Sequence, residues 1–294
     1  MRIFLLGAGY SARAFAGRER GRAEAIVGTA RSSEKLDVLR KEGIEPLAFD
    51  GGAIGSEMAE ALRQTTHLVL SAAPEAGAEG VSHDPFLRHV DGRLRQFMPA
   101  LRWIGYLSTV GVYGDHGGAW VDEESECRPV SRRSVARLEA EKAWQAAAER
   151  EVVPLAVLRL AGIYGPGRNA LANLAAGTAR RIVKPGQIFN RIHVGDIAGA
   201  LSLFSEREMG GVFNLADGSP SSAEDVVTFA AELMGVQPPS EIPFGEAEMT
   251  PMARSFYGEN KRVSNARIKR LGYAFDWPDY RTALARMWAE ESWR

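Results

Sequence analysis

Cysteine is nearly missing: Cys127 is the only one in 294 residues. That excludes intrachain disulfides and cysteine-rich zinc sites, and it matches a reducing compartment, so the chain is expected to be cytoplasmic. An excess of charge is missing too, with 36 Lys and Arg against 37 Asp and Glu and a formal net charge of −1. Without a basic surplus, neither nucleic acid nor an anionic membrane is expected as a partner. Long apolar runs are absent. Nothing approaches the roughly 20 uninterrupted apolar residues that span a bilayer, and the run Ile3–Leu6 is too short for the apolar region of a secretory signal. The histidines, His67, His83, His89, His116 and His193, lack His-x-x-x-His or His/Asp spacing, so no metal site is expected. What remains, 45% hydrophobic and 25% charged, is the composition of an ordinary globular chain.

Within it, short apolar runs alternate with helical patterns. Ile3–Leu6, Ala25–Ala30, Pro46–Phe49, His67–Ser71, Trp103–Leu107 and Leu155–Leu160 read as strands. Ser11–Glu19, Ser33–Lys41, Met58–Arg63, Phe86–Met98 and Arg132–Arg150 carry apolar residues at helical spacing. Such alternation implies βαβ units and a parallel sheet buried on both faces, which explains why Leu68-Val69-Leu70 is apolar without a period of two. Beyond Gly165 the rhythm loosens. Ile197–Phe204, Ala223–Met234 and Tyr280–Trp293 still read as helices, and Gly235–Arg254 as an irregular excursion. The fold class expected is α/β, a Rossmann-type doubly wound parallel sheet with a smaller discontinuous C-terminal substrate lobe. Residues 1–168 form the nucleotide domain, with 189–217 returning to it, and 169–188 with 218–294 form the lobe.

The segment Gly7-Ala8-Gly9-Tyr10-Ser11-Ala12 follows the first strand and opens the first helix. Gly7 permits a tight turn, and Gly9 lets backbone approach a pyrophosphate seated on the helix N-terminus; Ala12 stands where a third glycine often occurs. The second strand ends without the Asp or Glu that would bind a ribose 2′-hydroxyl. Arg31, Ser32 and Lys35 stand there instead. A carboxylate would repel a 2′-phosphate, whereas the fork of Arg31 offers it donors, so NADP is expected over NAD.

Later segments resemble the extended, epimerase/dehydratase-like branch of the short-chain dehydrogenase/reductase superfamily. They are Tyr106-Leu107-Ser108-Thr109-Val110-Gly111-Val112-Tyr113-Gly114, then Arg159 to Gly167, Arg191 to Ala198, and Phe213-Asn214-Leu215-Ala216-Asp217, in the family's order. The resemblance implies that Asp50 and Gly51 lie near the adenine and Ser71, Ala72, Ala73 and Pro74 near the nicotinamide-side ribose. It implies that Thr109, with Ser108 beside it, is the catalytic hydroxyl position. It also implies a Tyr followed four residues later by a Lys on the next helix; the phenol exchanges a proton with the substrate, and the Lys lowers its pKa. Here the chain departs from the family: Arg133 and Arg137 occupy those positions. Arg137 could still hold the cofactor ribose. Arg133 cannot exchange protons, because a guanidinium stays charged at any working pH. A Tyr-x-x-x-Lys does occur at Tyr257–Lys261, but past the family's last landmark, where it is not the displaced pair.

Two functions compete. One is an atypical NADP-dependent enzyme acting on a polar carbonyl substrate, with Thr109 polarising the substrate oxygen and Tyr113 or water handling the proton. The other is a degenerate sensor of NADP or a metabolite. Tyr164, Arg168, Arg191, His193, Lys261 and Arg262 are the candidates for substrate contact. The partner expected is a small molecule, a nucleotide-sugar being one candidate, and a homodimer is left open.

Overall fold

The computed structural model describes residues 1–76, 82–90 and 93–294. Seven strands form the central sheet: β1 (Arg2–Leu6), β2 (Ala25–Ala30), β3 (Glu45–Ala48), β4 (His67–Leu70), β5 (Trp103–Thr109), β6 (Leu155–Leu160) and β7 (Gly211–Leu215). Their order is β7-β6-β5-β4-β1-β2-β3. The registers from β3 to β5 are all parallel, and Phe4 of β1 sits between Val27 and Leu68. The chain runs outward to β3 and then returns to place β4 on the other side of β1. That reversal is the topological switch point at which doubly wound sheets bind ligands, beyond the C-terminal ends of the strands.

Helices cross between strands: α1 (Tyr10–Glu19), α2 (Ser33–Lys41), α3 (Ser56–Arg63), α4 (Pro85–Val90), α5 (Leu94–Phe97) and α6 (Arg132–Arg150). The single helix expected over Phe86–Met98 is two short ones, and its residues 91–92 lie outside the described residues. Asp84 starts α4, its Oδ1 accepting from Leu87 N at 2.9 Å, and its other oxygen accepts from Trp144 Nε1 of α6 at 2.9 Å. Phe86 stacks on Trp144 at 6.2 Å, both fully buried, so α4 and α6 share one core with Phe4, Leu68 and Ile104. No described helix is long and apolar enough to cross a membrane.

The chain divides into two compact units. The first comprises Met1–Val112, Arg132–Arg159 and Ile197–Phe213; the second comprises Tyr113–Ser131, Leu160–Asp196 and Asn214–Arg294. The helices that complete the chain are α7 (Ala170–Ala175), α8 (Val194–Glu206), α9 (Ala223–Met234), α10 (Pro251–Phe256), α11 (Ala266–Arg270) and α12 (Tyr280–Ala289). In the second unit α7, α9 and α12 close on Leu171, Ala230, Leu284 and Met287. The last helix stops at Ala289, four residues short of the expected end, and Trp293 packs into this core beyond it.

Residues 235–254 are more regular than their composition suggests. Glu241–Pro243 pairs in parallel with Arg181–Val183, an edge position that tolerates Pro243 because no ladder donor is required there. Thr250 then caps α10, accepting from Ala253 N at 3.2 Å, with Pro251 in the first turn where its missing N–H costs nothing.

Candidate functional site

β1 hands the chain to Gly7 at φ +81°, a left-handed conformation that a side chain strains. A Cβ there would stand 2.7 Å from Ala72 N, so the turn after β1 and the turn after β4 touch backbone to backbone. Gly7 N donates to Thr29 Oγ1 at 2.7 Å and Ala8 N to Thr29 O at 2.8 Å, which fastens the turn to the end of β2. Gly9 caps α1, whose first turn carries no carboxylate, so the positive end of the helix is uncompensated from within.

These groups line a cavity of about 520 Å³. Gly7, Gly9, Tyr10, Arg31, Lys35, Asp50, Gly51, Ser71, Ala72 and Ala73 all contribute to it. Ser11 and Ala12 turn instead into the core, Ser32 is the N-cap residue of α2, and Pro74 stands outside the lining. Arg13, Val38, Phe49 and Phe86 also line the cavity and were not singled out from the sequence. Phe49 and Phe86 meet edge to face at 6.4 Å, making an apolar wall, and His89 Nε2 lies 2.9 Å from Gly51 O, which braces the loop after β3. Nothing local in the sequence marks Phe86, because only the crossover brings α4 beside β3.

At the end of β5 the two hydroxyls part company. Ser108 Oγ donates to Glu141 of α6, and Glu141 forms an ion pair with Arg159 of β6 at 2.8 Å, all three buried. Ser108 is thus part of the bracket that holds α6 to the sheet. Thr109 is only partly buried, and its Oγ1 accepts from Gly111 N at 3.1 Å, which leaves the hydroxyl hydrogen able to donate. Arg137 donates to Leu107 O at 2.7 Å and lies 5.6 Å over the Tyr106 ring. Arg133, four residues earlier, is exposed. Burial pushes the Tyr106 phenol well above its usual range, so it is not a ready proton donor or acceptor.

Within the second unit, Tyr164, Arg168 and Arg191 line a cavity of about 1110 Å³; His193, Lys261 and Arg262 do not. Tyr113 is buried, its hydroxyl donating to Asn214 Oδ1 at 2.8 Å. His193 is also buried, stacked on Trp277 at 4.0 Å, with Nδ1 accepting from Gly195 N at 3.1 Å. Burial lowers its pKa to about 4, so the imidazole is neutral near pH 7. Lys261 is buried and donates to Gly114 O and Glu259 Oε2, both at 2.7 Å, while Arg262 donates to Gly118 O. Tyr257 packs between Phe189 and Phe244, each at 5.0 Å. Asn169 caps α7, accepting from Ala172 N at 2.9 Å.

Two aspartates of the second unit escaped sequence reasoning. Asp196 accepts from Asp276 N at 2.9 Å and Trp277 N at 3.0 Å, yet burial raises its pKa to about 6. Asp217 is raised to about 7, again chiefly by burial, and its Oδ2 has no partner among the described residues. Asp217 ends one landmark segment and Asp196 lies within another, but only burial makes them unusual.

The family model of the NAD dependent epimerase/dehydratase family matches residues 100–216, from the turn before β5 to the end of β7. Protein YeeZ of Escherichia coli strain K12 is 25% identical over 289 residues, covering 95% of this chain and 97% of its own. The structure of a functionally unknown conserved protein from Silicibacter pomeroyi DSS is 42% identical, with a TM-score of 0.86 and 98% of both chains covered. The UDP-glucuronic acid 4-epimerase of Bacillus cereus, solved in complex with NAD, shares the fold at a TM-score of 0.74 over the whole of both chains, with 15% identity. The switch-point glycine turn, the sheet order and the match of residues 100–216 to the NAD dependent epimerase/dehydratase family carry one conclusion: the chain is an atypical member of the extended short-chain dehydrogenase/reductase superfamily.

Proposed function

We propose that the protein is an NADP-dependent enzyme of the oxidoreductase or epimerase-like kind, acting on a carbonyl or hydroxyl of a small polar substrate. The observation that carries this reading is the cavity at the switch point, where a side chain at Gly7 would collide with Ala72 and where Arg31 and Lys35 stand at the end of β2. The residues present fit a dinucleotide. Gly7, Gly9 and the start of α1 suit a pyrophosphate, Phe49, Phe86 and Asp50 suit an adenosine, Ser71 to Ala73 suit the second ribose, and Arg31 with Lys35 suits a 2′-phosphate. When bound, NADP supplies a hydride donor or acceptor.

The chain's own groups divide the remaining work. Thr109 donates its hydroxyl hydrogen to the substrate oxygen. Arg137, fixed to Leu107 O, supplies positive charge where the family keeps Lys. With the Tyr113 hydroxyl bonded to Asn214, solvent is the proton carrier in this reading. Within the second unit Arg191, Arg168 and Tyr164 line the cavity that would take a small polar molecule, and a nucleotide-sugar is the candidate that the Bacillus cereus structure suggests.

Calorimetric titration tests the cofactor. NADP(H) should bind more tightly than NAD(H), and Arg31→Ala should weaken it about 10-fold or more, roughly 1.4 kcal/mol; equal affinity for the two in the unaltered protein overturns the preference. Turnover is followed as NADPH oxidation over carbonyl substrates that include nucleotide-sugars, and Thr109→Ala should lower kcat by roughly 100-fold. The second reading, a sensor without turnover, is favoured by Arg133, which holds its proton where the family's phenol exchanges one. Inactivity across that set of substrates, with NADP binding intact, selects it.

A further inference from the structure

The cavity of the second unit has a chemistry of its own. Its walls are apolar, with Ile163, Ile182, Phe189, Met249 and Tyr257 among them, and at about 1110 Å³ it would hold a drug-sized molecule. Met252 and Phe256 of α10 extend this surface outward; they are 57% and 55% exposed, among the few large apolar side chains left in contact with water.

Of the uncharged polar side chains at the wall, Asn190 and Thr250 already serve the fold, while the buried Tyr164 hydroxyl has no hydrogen-bond partner among the described residues. Asn190 donates to Lys261 O at 2.9 Å and accepts from Val263 N at 2.8 Å, which uses both ends of its amide. Thr250 accepts from Ala253 N as the cap of α10, which leaves only its hydroxyl hydrogen to offer. A nucleotide needs partners for a base edge and a ribose diol, and this wall has few to give.

Charge is what it does offer. Arg168, Arg180 and Arg191 line the cavity against a single carboxylate, Glu248. Arg191 donates to Phe189 O, Ser221 O, Ser221 Oγ and Ser222 O, and it forms no ion pair with a carboxylate among the described residues. A mostly buried guanidinium whose hydrogen bonds all go to neutral oxygens, and which meets the charge of Asp217 only at longer range, still attracts an anion.

From this juxtaposition we infer that the cavity takes an amphipathic anion: an apolar aliphatic or aromatic body along Ile182, Met249 and Phe256, with a carboxylate or phosphate at Arg191. The inference rests on the small-molecule reading above and narrows its substrate class away from nucleotide-sugars.

The test uses the full chain and 1-anilinonaphthalene-8-sulfonate, itself an apolar body with one anionic group, as a fluorescent reporter. Decanoate or decyl phosphate should displace it at concentrations at least ten-fold below those needed of decanol, UDP or inorganic phosphate; which of the two acids acts more strongly identifies the head group. Met252→Glu and Phe256→Glu put a carboxylate at exposed positions of the wall, and each should raise the concentration of acid required at least ten-fold. Displacement by UDP as effective as by the decyl acids overturns the inference, and so does decanol matching decanoate or an unchanged response in both variants. NADP affinity, titrated on the same samples, reports the cofactor reading separately: acid displacement without NADP binding sinks that reading alone, and NADP binding without acid displacement sinks this one alone.

Discussion

At Gly7 two demands fall on one residue. The backbone takes φ +81°, and the space a Cβ would fill is held by Ala72 N at 2.7 Å. The backbone conformation alone is a modest cost, but the obstructing atom is backbone on a neighbouring turn, so no cheap shift relieves the contact. Gly7→Ala should therefore destabilise the fold by about 1–3 kcal/mol and weaken NADP binding ten-fold or more, measured by chemical denaturation and calorimetry. Gly9 is different. A Cβ there meets only Ser71 Oγ, at 4.0 Å, so Gly9→Ala should fold normally and lose affinity alone. The pair separates the turn's architectural glycine from the one that leaves room for a ligand. Both glycines were legible in the sequence, since spacing after a strand states them. Which of the two carries strain was not, because Ala72 is 65 positions further on.

Among the elements, α6 decides what the departures from the family mean. Its arginines at 133 and 137 are visible in the sequence, but their surroundings are not. Arg137 is tied to the end of β5, while Arg133 is exposed. One turn after Arg137, Glu141 joins Arg159 of β6 and Ser108 of β5, so three elements meet at one buried ion pair. Removing one partner of a buried pair strands the other charge, at a cost of about 3–5 kcal/mol. Glu141→Gln should lose that much stability in denaturant titration, whereas Glu139→Gln, whose partner Lys142 is on the surface, should lose less than about 1 kcal/mol. An equal effect from the two would mean that α6 is held by its apolar face alone. Ser108 and Thr109 are adjacent in sequence and on a strand must face opposite ways, yet the sequence could not say which of them faced Glu141.

For the whole molecule the titrating groups set a pH profile. Asp217 has a folded pKa of about 7 against an ordinary 3.8, so the folded state keeps a proton that the unfolded chain has released. Its contribution is fully present below about pH 4 and is lost as pH rises through 7. Asp196, raised to about 6, acts in the same direction. His193, lowered to about 4, acts in the opposite one: its contribution is present above pH 6.5 and is lost as pH falls towards 4. Asp217→Asn removes the first term. The stability lost between pH 5 and pH 8 should shrink by roughly 2–3 kcal/mol relative to the unaltered chain, read from denaturant unfolding at the two pH values. A loss of the same size in the variant would mean that Asp217 is ionised throughout.

The sequence by itself determined the alternation of strands and helices, the parallel sheet and the glycine turn at its switch point. These rest on local properties, apolar period and backbone freedom, that a short segment carries wherever it is placed. It also determined that no phenol stands at position 133. Tertiary structure alone decided that Ser108 bonds to a buried ion pair, that Lys261 is tied to Gly114 O, and that Phe86 reaches the cavity beside Phe49. It alone turned the Pro- and Glu-rich stretch near residue 250 into one wall of an apolar cavity. The reason is common to all four. A side chain's chemistry is fixed by what shields it and what it touches, and those neighbours come from strands and loops tens of residues away.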